Sequence, residues 1–165
     1  MPSTYVHAID LNPNLSAACQ VADYYQACPR VTATEYMDFL LDYCLKHKIG
    51  LVIPTIDTEL AILARYKELF ASHKIMLCIS DSNLIDQCRD KRKTGITFEK
   101  YNIPYPSLYS TDRLTFPCFA KPYNGSCSIG AKIIRDKTSL DNETLNDPNM
   151  LFMELIDKSY SEYTI

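Results

Sequence analysis

The stretch with the most chemical capacity runs from Phe116 to Lys132 and reads "FPCFAKPYNGSCSIGAK". Three chemistries are open to it. Gly125 and Gly130, five apart with a lysine close behind, approach the phosphate-binding pattern GxxxxGK[ST], in which backbone N–H groups at a helix start cradle phosphates. Ser128, within Ser126-Cys127-Ser128-Ile129-Gly130, approaches the GxSxG elbow of serine hydrolases. Lys121-Pro122, closing an apolar strand, suits a hairpin whose Gly/Ser loop folds over a polyphosphate. There Gly125 and Gly130 give flexibility, Ser126 and Ser128 give donors, and Lys121 gives a cation fixed on a strand.

The flanking elements discriminate among these. "AKIIR" reads as a strand, so no helix dipole would point at a P-loop ligand, and Ala131 holds that motif's lysine position. The hydrolase elbow also needs a helix after the serine, and His7, His47 and His73 all precede Ser128. A hairpin agrees with both topology and residue chemistry. The plainer alternative is a polar hairpin loop with a surface lysine. Other charged residues have plain readings too. Lys91 in "RDKRK" is by itself a solvated residue, Asp57 and Glu59 are helix-terminus residues, and Glu154 alternates with buried Phe152 as an outward-facing strand residue. The Tyr24-Tyr25 pair reads as packing.

"TYVHAID" (4–10) is a strand broken by "NPN". A helix follows over "TATEYMDFLLDYCLKHKIG", with Met37, Leu40, Leu41, Cys44 and Leu45 at helical spacing, a Thr32/Glu35 capping box and Gly50 as its stop. "LVIPT" is a strand of the buried parallel kind, "DTELAILARYKELF" a helix burying Ile62, Leu63, Tyr66, Leu69 and Phe70, and "KIMLCIS" a third strand. A helical stretch then runs from Leu84 to about Tyr101. This alternation predicts an α/β, Rossmann-like parallel sheet, without a GxGxxG fingerprint. Prolines in "NIPYPSLYS" mark a change to shorter strands, "SLYS", "CFAK", "AKIIR", "MLFMEL" and "EYTI", with a polar helix or loop over 136–149.

Composition restricts the functional classes. Of the 165 residues 47% are hydrophobic and 22% charged, and the net charge of −3 gives no reason to expect nucleic acid or an anionic membrane as partner. Apolar runs are too short for a transmembrane span, and a signal-peptide core is lacking, so a cytoplasmic protein is expected. The seven cysteines are odd in number and form no CxxC pair, which favours small buried hydrophobes over disulfides or zinc.

Taken together, "CRDKRKT", "NIPYPSLYS", "FPCFAKPYNGSCSIGAKII" and "LFMELIDKSYSEYTI" resemble the first part of an ATP-grasp domain. Upstream, "VIPTIDTELAIL" resembles the pre-ATP-grasp domain of relatives of the carbamoyl-phosphate synthase large chain. The resemblance implies a pre-ATP-grasp domain over residues 1–89 and the N-terminal part of an α+β ATP-grasp domain over 90–165. It assigns Lys91, of the family's "DK", to the nucleotide phosphates and Lys121, of "FAKP", to the α-phosphate and adenine. The 125–130 loop, with Gly125, Ser126, Ser128 and Gly130, becomes the lid over the β- and γ-phosphates. Glu154 is placed at the adenine edge, the Ile156 backbone against the purine, and Glu162 on the ribose hydroxyls. Cations beside phosphates and carboxylates beside hydroxyl and amine donors make chemical sense. Cys127 departs from the lid's usual glycine. Lysines at 91 and 121 stand where carbamoyl-phosphate synthases carry arginines, which implies a relative of that enzyme.

By this resemblance the parent enzyme uses ATP and Mg²⁺ to activate an unidentified carboxylate as an acyl phosphate for attack by an amine-type nucleophile. The metal-binding carboxylates and catalytic groups are expected beyond Ile165, and the family's first strand before "TYVHAID", so a fragment truncated at both ends and catalytically incomplete by itself is expected. A homo-oligomer is compatible with the family. The alternatives are a non-catalytic nucleotide-binding or scaffold module and, further off, a serine hydrolase at Ser128.

Overall fold

The computed structural model describes residues 4–156, 159 and 161, which form two compact units, Met1–Ser82 and Asn83–Ile165. The first is α/β. Strand β1 (His7–Asp10) pairs in parallel with β2 (Tyr24–Ala27) across the short helix α1 (Ala17–Val21). Helix α2 (Tyr36–His47) leads to β3 (Leu51–Val52), which pairs in parallel with β4 (Met76–Leu77) across α3 (Asp57–Ser72). Parallel partners need such crossovers, because a hairpin returns the chain antiparallel. Tyr36, Met37, Leu40 and Cys44 of α2 pack with Leu63 and Phe70 of α3 and with Ile75 and Leu77 in one core.

Several local expectations give way. Strand β2 carries no periodic signal, because all four of its residues are exposed; Tyr24 and Tyr25 belong to it instead of the core. Tyr24 stacks on His7 with ring centroids 4.7 Å apart. The Thr32/Glu35 capping box does not form: α2 starts at Tyr36 and Glu35 is its N-cap, with no side-chain capping bond. The helix ends at Lys48, whose φ of 56° takes the left-handed position expected of Gly50, and the Ile49 N–H returns to the Cys44 carbonyl. On α3, Leu63 and Phe70 are fully buried, while Leu69 is exposed and Tyr66 borderline exposed. Two strands of two residues each offer too little surface to cover that whole apolar stripe. Leu45 of α2 is exposed for the same reason of limited cover.

The second unit is α+β. The single helix expected from Leu84 to Tyr101 is two, α4 (Ser82–Arg89) and α5 (Lys91–Lys100), separated at Asp90. Asp90 has extended backbone, and its carboxylate accepts from the Arg92 N–H as the N-cap of α5, so the sequence restarts a helix there. An antiparallel sheet follows, formed by β5 (Leu108–Tyr109), β6 (Cys118–Pro122), β7 (Lys132–Ile134) and β8 (Met150–Glu154) in the order β5-β8-β6-β7. Cys118, Ala120, Ile134 and Phe152 form its core. A 3-10 turn at Lys137–Ser139 and helix α6 (Asn142–Asn146) connect β7 to β8, each capped by an aspartate, Asp136 and Asp141. The expected strand "EYTI" lies outside the described residues.

Candidate functional site

Side-chain alternation on β6 creates the site. Cys118 and Ala120 are buried in the core, so Phe119 and Lys121 emerge on the opposite face. The chain then turns through 123–131 and returns as β7, antiparallel to β6, so neither the helix of a P-loop nor that of a hydrolase elbow follows. Tight turns close the loop, with the Ile129 N–H donating to Ser126 O at 3.2 Å and the Ala131 N–H to Ser128 O at 3.1 Å.

The left-handed backbone falls on Cys127 (φ 54°), Ser128 (φ 57°) and Gly130 (φ 75°), and Gly125 is not among these residues. Gly125 serves by its lack of a side chain: a Cβ there would sit 3.2 Å from the Pro122 ring, and one at Gly130 would sit 3.1 Å from it. Both glycines therefore fold the loop against the proline that follows Lys121.

Lys91 reaches this loop from the start of α5. Its ammonium donates to the Gly125 carbonyl at 2.6 Å, with a longer 3.5 Å contact to Tyr123 O, and its backbone N–H donates to Tyr123 O at 3.0 Å. It is not the solvated member of a charge run. Lys91, Phe119, Lys121, Gly125, Ser126 and Ser128, with other loop residues, line one cavity of about 270 Å³. Burial, and next the charge of Lys91, hold the Lys121 ammonium below its ordinary pKa. Two cations lining one cavity make it a candidate site for an anion.

A second, larger cavity of about 390 Å³ lies across the loop's end, lined by Gly130, Lys132, Asp141, Glu143, Thr144 and Asp147 among others. Its lysine is already neutralised: the Lys132 ammonium donates to Asp141 Oδ2 at 3.1 Å and to the Thr144 hydroxyl. The Asp141 carboxyl is held far below the carboxylate range, first by the Thr144 backbone N–H and hydroxyl, then by Lys132. The smaller cavity is accordingly the better candidate for an anion; of the loop residues, Gly130 lines the larger cavity and Ala131 lines both.

The remaining candidates are placed differently. On β8, Glu154 lies opposite Cys118, Phe152 opposite Ala120, and Leu151 opposite Lys121. Directly opposed residues share a face, so Glu154 and Phe152 lie on one side of the sheet and Lys121 on the other; the expected alternation of Glu154 with Phe152 does not hold. The Glu154 carboxylate accepts from the Ser107 N–H at 3.2 Å, and the Glu154 N–H donates to Ser107 O at 2.8 Å. Ile156 is exposed just beyond β8, and neither it nor Glu154 lines the cavity of the two lysines. Glu162 lies outside the described residues.

Sequence reasoning missed Tyr123 and Arg92. The Arg92 guanidinium sits 3.6 Å from the Tyr123 ring centroid and is held by Asp90 through Nε and Nη2, the latter at 2.7 Å. The D-x-R spacing at a helix start is visible in the sequence, but its partner 31 positions later is not (123 − 92).

Residues 2–78 match the family described as PylC-like, N-terminal domain. No curated protein matches the chain in sequence. Among solved structures, the L-amino acid ligase of Bacillus licheniformis superposes with a TM-score of 0.62 at 18% identity, over 82% of this chain and 34% of that one. The biotin carboxylase domain of Hydrogenobacter thermophilus 2-oxoglutarate carboxylase gives 0.67 at 15% identity, over 92% and 39%. N5-carboxyaminoimidazole ribonucleotide synthetase from Thermotoga maritima gives 0.60 at 18% identity, again over 92% and 39%. The chain thus spans between a third and two fifths of the length of these structures. Residues 2–78, just under half of the chain, are thus similar to the PylC-like N-terminal domain, and the chain shares the fold of a corresponding part of these solved structures.

Proposed function

We propose that this chain is the leading part of an ATP-dependent carboxylate–amine ligase, related to the carbamoyl-phosphate synthase group, and that its second unit grips the phosphates of ATP. In this reading residues 1–89 form the pre-ATP-grasp domain and 90–165 the start of the ATP-grasp domain, in a cytoplasmic enzyme. The observation that carries it is the convergence on one cavity of Lys91, at the start of α5, with Lys121 and the 125–128 loop, which lie 30 or more positions further along the chain. The biotin carboxylase domain of 2-oxoglutarate carboxylase, which shares the fold, was solved with MgADP and bicarbonate, in keeping with a nucleotide and a small carboxylate as ligands here.

ATP with Mg²⁺ supplies the phosphoryl group that activates a carboxylate. The residues of this chain bind and screen. Lys121, on a strand fixed on both sides by β7 and β8, holds a cation in place before the ligand arrives. Its lowered pKa reflects partial desolvation and a like charge nearby, and a polyphosphate relieves the second of these. The N–H groups of residues 126–128 add neutral donors, and the loop covers the site from water once closed. Lys91 would exchange the Gly125 carbonyl for a phosphate oxygen.

The test is a fluorescence titration of the 165-residue chain with trinitrophenyl-ATP, with and without Mg²⁺. Wild type binds, and Lys121→Ala weakens binding about 10-fold or more, the equivalent of one charge-assisted hydrogen bond. Absence of binding, or binding indifferent to Lys121→Ala, overturns the reading.

A further inference from the structure

Asp90, Arg92 and Tyr123 form a clamp between α5 and the loop, and no role above accounts for it. The Asp90 carboxylate caps α5 through the Arg92 N–H at 2.9 Å and grips the Arg92 side chain through Nε at 3.0 Å and Nη2 at 2.7 Å. This double engagement leaves the guanidinium few orientations, and its plane covers the Tyr123 ring with Cζ 3.6 Å from the centroid. Tyr123 is fixed from the far side as well, its backbone N–H donating to Asn149 O at 2.9 Å and its carbonyl accepting from the Lys91 N–H at 3.0 Å. The residue that begins the loop is thus anchored at ring, N–H and carbonyl.

We propose that Arg92 is a positioning residue for the phosphate-binding cation: its stack on Tyr123 fixes the loop's first residues against α5 and so sets where the Lys91 ammonium stands. A cation over an aromatic ring is attracted by the ring's quadrupole, and here that attraction holds Tyr123, which does not itself line the cavity. The proposal rests on the nucleotide reading given above.

The experiment measures binding of ATP, tripolyphosphate and adenosine to the full 165-residue chain by competition against trinitrophenyl-ATP, with circular dichroism confirming the fold of each variant. Arg92→Ala and Tyr123→Ala are expected to weaken ATP and tripolyphosphate about 3- to 10-fold and leave adenosine within twofold. Tyr123→Phe, which keeps the ring, is expected to bind as wild type does. Because Arg92 acts through Lys91, the double variant Lys91→Ala/Arg92→Ala should bind no more weakly than Lys91→Ala alone. Additive losses in the double variant, equal losses for adenosine, or a Tyr123→Phe as weak as Tyr123→Ala overturn the clamp while wild-type binding sustains the nucleotide site. A wild-type chain that binds no nucleotide overturns both.

Discussion

The ammonium of Lys91 donates to the carbonyl of Gly125 at 2.6 Å, 34 residues along the chain. One bond ties the first residue of α5 to the first glycine of the loop. Lys91→Met removes the ammonium and keeps the stem, so the loop should loosen and its amides exchange faster. Hydrogen exchange followed by mass spectrometry should show a gain confined to about residues 123–131, with protection in α3 of the other unit unchanged. Unchanged exchange in the loop would mean that the bond does not restrain it.

Lys121 carries an electrostatic burden in the unliganded protein. Burial and the charge of Lys91 lower its pKa, so the folded state disfavours its proton relative to the unfolded chain. That destabilisation is fully present below the folded pKa and is relieved as pH rises towards the unfolded value of about 10.4. Lys121→Met should therefore raise the melting temperature at pH 7 by about 1–2 °C while weakening nucleotide binding. The gain should shrink as pH approaches 10; a gain that grows with pH would contradict the assignment.

Cys127 and Ser128 both hold left-handed φ without being glycine. An L-residue there costs about 1–2 kcal/mol relative to glycine, offset in part by the entropy glycine loses on folding. Cys127→Gly should stabilise the chain by about 0.5–1 kcal/mol in urea denaturation, and Cys127→Val should destabilise it, because a β-branched residue fits that conformation worst. The reverse order would show that the loop does not hold this backbone in solution.

Asp141 links acid sensitivity to the α6 cap. The Thr144 N–H at 2.7 Å, the Thr144 hydroxyl and Lys132 depress its pKa, so its contribution is present above the unfolded value near 3.9 and is lost as pH falls below that towards the folded one. Asp141→Ala should lower the melting temperature by about 2–5 °C at pH 7. The difference between the two proteins should shrink steadily as pH falls below about 3.9. A difference that persists undiminished in acid would argue against a charged cap.

Helix α3 separates two expectations. Phe70 is fully buried and Leu69 is exposed, although both were apolar candidates for the core. Phe70→Ala should cost about 3–5 kcal/mol and Leu69→Ala less than about 0.5 kcal/mol in denaturant titration. Comparable losses would place Leu69 in an interface.

Strand and helix order was legible because each element carries its own period. The 3.6-residue spacing of Met37, Leu40 and Cys44 reports on itself, and the apolar run of "LVIPT" marks a parallel strand, but one of only two residues and with Leu51 and Ile53 exposed where a buried strand was expected. Strand β2 was not legible, since an exposed "YYQA" pairs through backbone bonds that leave no mark on side-chain pattern. The break at Asp90 was visible only as an aspartate ahead of a charged run. Its consequence, a second helix aimed at the loop, needed the fold.

The chain's residue types alone pointed to anion chemistry: a lysine closing a strand, a loop of glycines and serines, and a strand after it that excludes a P-loop. Which residues meet was decided by tertiary structure. Pairing register puts Lys121 and Glu154 on opposite faces of one sheet, and the capping of α5 carries Lys91 from a charge run to the Gly125 carbonyl. The Arg92–Tyr123 stack likewise joins positions that share no local pattern. Local sequence encodes periodicity and turn chemistry over a few residues, whereas faces and long-range partners follow from how strands pair, and pairing is a property of the whole sheet.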